Sequence, residues 1–146
     1  MKSIKTPLFA LSLLLFVPGI SGADVTASSK SVLNGLWQGI DTQDGSETLI
    51  SISDNNHDGI LDIRLTDTFF SICVSDYGLS SSPGLVDGPA TFQNGTLSWA
   101  YSFKCYSPAT NSLVEVEQGN ASFVYSPRNK TLVDENGNIF YRVDQH

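Results

Sequence analysis

Asn-Gly and Asp-Gly pairs recur six times along this chain: Asn34-Gly35, Asp44-Gly45, Asp58-Gly59, Asp87-Gly88, Asn94-Gly95 and Asn136-Gly137. Both central positions of a type I′ hairpin turn need φ > 0, which Asn, Asp and Gly adopt at the lowest steric cost. Most of the pairs lie between short stretches of alternating apolar and polar residues, the period of a strand with one buried face. The spacing predicts one antiparallel meander from about Leu36 to Val143. Such a pattern constrains the fold tightly and the activity hardly at all.

Strands are expected over 36–41, 47–53, 60–66, 68–74, 86–92, 96–105, 113–117, 122–125 and 139–143. Thr48, Ile50 and Ile52 share a face, as do Leu61, Ile63 and Leu65, and then Phe70, Ile72 and Val74. The 96–105 strand aligns Leu97, Trp99, Tyr101 and Phe103, four large residues at period two that require a buried sheet face. Residues 77–84, rich in Ser and Gly, read as an irregular loop. Tyr106-Ser107-Pro108…Leu113-Val114 and Tyr125-Ser126-Pro127…Leu132-Val133 agree at five of nine positions, as one strand-exit turn used twice. No amphipathic helix is expected within the meander. Eight or nine short strands without covering helices predict an all-β fold, an antiparallel up-and-down meander closing into an eight- to nine-stranded barrel. Closure removes both sheet edges.

The ends and composition bear on compartment. Lys2 and Lys5 precede an apolar run from Leu8 to Val17, and small residues Ser21, Gly22 and Ala23 follow, the pattern of a cleaved secretory signal over 1–23. The run is shorter than the ~20 residues of a membrane-spanning helix. Polar residues 24–33 read as a flexible lead-in, leaving 34–146 as a single barrel domain. Removing the two signal lysines takes the formal charge from −7 to −9. An acidic surface disfavours nucleic acid and anionic membranes, both of which demand Lys and Arg against phosphate. A soluble monomer is expected. Cys73 and Cys105 are the only cysteines and fall on separate expected strands; in an oxidising compartment such a pair reads as one disulfide.

Catalytic signals are weak. Nucleophilic chemistry needs a nucleophile, a base and a group that orients it. The only histidines are His57, in an Asp-rich turn, and His146, the last residue. Asp41, Asp62 and Asp67 occur in or beside strands without the spacing of a carboxylate pair, so no enzyme and no cofactor is expected. Asp54, Asn56, Asp58 and Asp62 match part of a calcium loop, with Gly59 at its sixth place, but Leu65 stands where a bidentate Glu belongs. The competing reading is a hairpin turn built of turn-favouring residues. Asn94, Asn120 and Asn129 begin glycosylation sequons that are expected at turns.

Aromatic residues offer a binding reading. Trp37, Phe70, Phe92, Trp99, Tyr101, Phe103, Phe123 and Tyr125 either fill a small barrel or line a pocket in it, because eight-stranded interiors are only just wide enough for side chains. The candidate ligand contacts are Trp37, Phe70, Trp99, Tyr101, Phe103 and Tyr125.

Gly35-Leu36-Trp37 opens the first strand as G-x-W, and Arg142 lies in Phe140-Tyr141-Arg142-Val143 on the last. With Asp44-Gly45-Ser46, the two cysteines and Asn94-Gly95-Thr96-Leu97, these features resemble lipocalins and related calycins, and a group of small secreted barrels. The resemblance implies a Trp37 plugging the closed end of the barrel with Arg142 packed across it. No segment before His146 suits the helix that follows the eighth strand in lipocalins, so a lipocalin-like barrel is expected without an inherited ligand. It would hold a small apolar or aromatic ligand at its open end. The alternative is an interaction module, such as a hydrolase inhibitor acting through the 77–84 loop.

Overall fold

A computed structural model describes residues 32–143. The expected signal segment, all but the last two residues of the lead-in, and His146 lie outside the described residues. Eight strands follow in order: β1 (Gly35–Ile40), β2 (Glu47–Ser53), β3 (Leu61–Asp67), β4 (Ser80–Gln93), β5 (Thr96–Ser107), β6 (Ser112–Ser126), β7 (Thr131–Asp134) and β8 (Ile139–Val143). Each pairs antiparallel with the next, and β8 returns to β1 with Trp37 opposite Arg142, closing an up-and-down barrel. One short helix, α1 (Ser71–Ser75), interrupts the meander between β3 and β4.

Turn chemistry explains the meander. Asn94 and Gly95 have φ of 51° and 80° between the paired residues Gln93 and Thr96, the two-residue turn that the sequence specifies. Gly45, Gly59 and Gly137 are likewise at φ near 80° in connections between strands. Asp87-Gly88 carries the turn signature but is strand interior within β4, as the expected 86–92 strand has it. Asp87 lies opposite Arg64 on one side and Ser102 on the other, and Lys104 donates to it at 2.7 Å. Backbone pairing on both sides overrides the local turn preference. The repeated Tyr-Ser-Pro segment forms two turns of the same design, with Asn111 and Lys130 at φ 51° and 52°. They stand at opposite ends of the barrel.

Three expectations for the elements need correction. Residues 68–74 are not a strand: Phe70 to Ser75 turn back over the barrel end, which places buried Cys73 against Cys105 (Cα–Cα 5.7 Å, disulfide-bonded). Residues 77–84 are not an irregular loop, because from Ser80 onward they are the start of β4, with an irregularity in register between Ser80 and Gly84. The separate strands at 113–117 and 122–125 are one strand, β6, and 131–134 supplies β7, so the count is eight. Gly119 and Ala121 weaken β propensity locally, yet the β5 ladder runs unbroken from Thr96–Val124 to Phe103–Glu117.

Along the barrel axis the interior divides into two halves. The end holding the β2–β3, β4–β5 and β6–β7 turns is filled by Leu33, Trp37, Ile52, Leu61, Leu97 and Leu132, each at most 2% exposed. Trp37 Nε1 donates to Leu33 O at 2.9 Å, and Arg142 donates to Val32 O and Asn34 O at 3.0 and 2.6 Å. The guanidinium carbon is 6.0 Å from the Trp37 ring centre. Gly35, at φ +137°, leaves room for it: a Cβ there would lie 3.3 Å from Arg142 Nη2. This end is closed.

Candidate functional site

The opposite end is a mouth. The β1–β2, β3–β4, β5–β6 and β7–β8 connections stand at this end, and all but β5–β6 line a cavity of about 370 Å³. That volume lies at the lower end of the roughly 300–1,000 Å³ typical of small-molecule sites. Its walls are built by unequal neighbours. β5 presents Trp99, Tyr101 and Phe103 inward, while β6 opposes them with Ala121, Gly119 and Glu117. Small residues on β6 leave space that large ones on β5 do not consume. A Cβ at Gly119 would stand 2.5 Å from Tyr101 Oη, so the glycine is what lets that ring lie where it does. Gly84 does the same for Phe70, whose ring carbon would be 2.1 Å from an added Cβ. Phe70 then packs on Phe103 with ring centres 5.1 Å apart.

Trp99 forms the base of this space. It is 3% exposed, stacks on Phe123 at 6.0 Å and tilts against Tyr101 at 5.6 Å. Its Nε1–H is buried without a hydrogen-bond acceptor, unlike that of Trp37.

The rim is acidic. Asp41, Asp44, Asp67, Glu117 and Asp134 line it, together with Thr48 and Asn138. Asp67 accepts from the Thr48 hydroxyl at 2.7 Å and the Phe69 amide at 2.8 Å. Asp134 accepts from the Asn138 amide at 2.8 Å, and Asn138 in turn accepts from the Thr42 amide and hydroxyl, tying β7–β8 to β1–β2. Hydrogen bonds from the Ser46 hydroxyl and amide hold the Asp44 carboxyl below its usual range. Tyr101 Oη donates to Glu117 at 2.9 Å. Burial pushes the Tyr101 phenol up, and the Glu117 hydrogen bond and charge act the same way, so it stays a donor at neutral pH.

Of the six aromatic residues expected to contact a ligand, Phe70, Trp99, Tyr101 and Phe103 meet at this cavity. Trp37 and Tyr125 do not: they pack edge to face, 6.2 Å apart, in the filled half. Alternation along a strand assigns a face but not a depth, so the sequence pattern does not separate them from the others. Among the carboxylates weighed for catalysis, Asp41 and Asp67 reach the rim, whereas Asp62 is exposed on the outer wall. Glu117, Asp134 and Asn138 also line the cavity and are not among the expected site residues. Register with β5 exposes the role of Glu117, and no motif marks it in the sequence.

The calcium candidates Asp54, Asn56, Asp58 and Asp62 lie at the closed end, where Asp58 accepts from the Ile60 amide as an ordinary turn residue does. Among the described residues no three His, Cys, Asp or Glu side chains converge as a metal set. Asn94, Asn120 and Asn129 are all exposed, but Asn120 is inside β6, not at a turn. No described helix is long and apolar enough to cross a membrane. Comparison with protein-family models, with curated proteins and with solved structures gives no match.

Proposed function

We propose that this chain is a secreted, lipocalin-like binding protein that carries a small apolar or aromatic ligand in the mouth of its barrel. The observation that carries the reading is the 370 Å³ cavity walled by Phe70, Trp99, Tyr101 and Phe103 above a filled half-barrel. A filled base fixes the walls without contributing to binding, as a preorganised site requires. The Trp37–Arg142 contact supports the calycin-like reading, and the Cys73–Cys105 bond supports an oxidising compartment. Binding is favoured over catalysis, because the lining includes no His and no Cys. The rival inhibitor reading rested on a free 77–84 loop, whose larger part is β-sheet.

Titration with the neutral probe N-phenyl-1-naphthylamine tests the proposal. Saturable quenching of tryptophan emission at one probe per chain is expected. Trp99→Leu should abolish it while the far-ultraviolet circular dichroism stays that of a barrel. Emission that falls linearly without saturation in the wild-type chain overturns the reading.

A further inference from the structure

The outer wall of the barrel differs between its two sides. Across β3, β4 and β5 it turns Asp62, Arg64, Asp87, Ser98, Ser102 and Lys104 outward, as a solvated face does. Across β6, β7, β8 and β1, neighbours in the closed sheet, one row reads Val124, Val133, Ile139 and Ile40. Val124 pairs with Val133 and Val133 with Ile139, while Ile40 follows Gly39, the partner of Phe140. Phe123, Leu132 and Phe140 beside them are buried in the core, so the row faces outward. Val124, Ile139 and Ile40 are 57, 44 and 54% exposed, and Tyr141, on the same face as Ile139, is 59% exposed. With half-buried Leu36, Leu49, Val133 and Val143, this side presents on the order of 500 Å² of apolar surface, a size that marks contact sites when the rim is polar.

The rim of this face is polar, and its charge is sorted along the barrel axis. Glu47, opposite Ile40, and Glu135, bonded to Ser122, stand toward the mouth. Arg128 and Lys130 stand in the β6–β7 turn at the closed end, where Lys130 shares a groove with Leu36 and Val143. A two-fold axis normal to the wall reverses the strand direction of a second copy. Its Arg128 and Lys130 then lie toward Glu47 and Glu135 of the first, and the reverse holds too, as an isologous contact requires. Two such faces bury about 1,000 Å² before the rim is counted, the lower bound of a specific protein interface. The chain's net negative charge opposes association, but it is screened beyond ~8 Å at physiological salt, whereas the opposed rims meet at contact. We propose that the wall formed by β6, β7, β8 and β1 is the interface of a homodimer of antiparallel barrels. The contact is through the side, so both mouths stay open and the inference does not depend on what the cavity holds.

Sedimentation equilibrium of the purified protein from about 1 to 200 µM tests this, with a micromolar monomer–dimer equilibrium expected. Tyr141→Glu places a charge within the face and should leave only monomer, with the far-ultraviolet circular dichroism unchanged. Val124→Lys serves the same end if that variant does not fold. Lys130→Glu and Glu135→Lys should each weaken the dimer about tenfold, and the double exchange should restore it, because each copy then offers the reversed pair. A wild-type protein that is monomeric at about 200 µM, or a dimer that both wall substitutions leave intact, overturns the proposal. Single reversals as tight as wild type, or a double exchange no tighter than the single ones, overturn the antiparallel arrangement.

Discussion

Single side chains control the space at the mouth. Gly119 is the sharpest case, since a methyl group there would collide with Tyr101 Oη at 2.5 Å. Gly119→Ala should push the ring into the cavity, break its bond to Glu117, and cost about 1–3 kcal/mol by overpacking. Denaturant midpoints would show the loss, and apolar-probe affinity should fall with it. Asp44 is a smaller, pH-readable contribution. Its folded pKa lies below the unfolded value of 3.8, so the stability it supplies is present above that value and disappears as pH falls through the folded one. Asp44→Ala should therefore lower stability at pH 7 by less than about 1 kcal/mol, because the carboxyl is exposed. The gap between variant and wild type should close in acid, in midpoints measured from pH 7 to pH 2.

At the level of elements, α1 and the strands it joins depend on one covalent tie. The disulfide spans 32 residues and fastens α1 to β5 over the mouth. Replacing both Cys73 and Cys105 by Ser should cost on the order of 2–4 kcal/mol. Hydrogen exchange should then quicken over residues 70–79 and stay slow in β1, β2 and β8. The β8–β1 seam has its own tie in Arg142, which joins two carbonyls before β1 and the Trp37 ring. Arg142→Ala should lose on the order of 2 kcal/mol and redden Trp37 emission as water reaches the closed end. These elements differed in how readable they were. Asn94-Gly95 announces its hairpin because few residues accept two positive φ values in succession. Phe70, Ile72 and Val74 read as a strand because three alternating apolar residues carry the period of one, whereas the helical turn buries Cys73 and leaves Val74 exposed. Asp87-Gly88 mimics a turn because local propensity cannot register the ladders on both sides of it.

For the whole molecule, closure of the meander was legible because turn residues and period-two patterning agree along nearly the entire chain. The division into a filled half and an open half was not. It depends on depth within the barrel, which register sets: Trp99 and Tyr101 face Ala121 and Gly119, while Leu97 faces Phe123. The same six aromatic residues were therefore visible as inward-facing, but not as belonging to opposite ends. The acidic rim is dispersed over the β1–β2 connection and strands β3, β6 and β7, and becomes a single feature only once the barrel closes. The two tryptophans report on the two halves separately, Trp37 with its indole N–H bonded to Leu33 at the closed end and Trp99 lining the cavity. A ¹⁵N-labelled sample should show two indole cross-peaks, assigned through Trp99→Leu. Titration with 2-phenylethanol should move the Trp99 peak along a saturating curve and leave the Trp37 peak in place. A Trp99 peak that stays fixed, or two peaks that move together, would contradict a ligand cavity at the mouth.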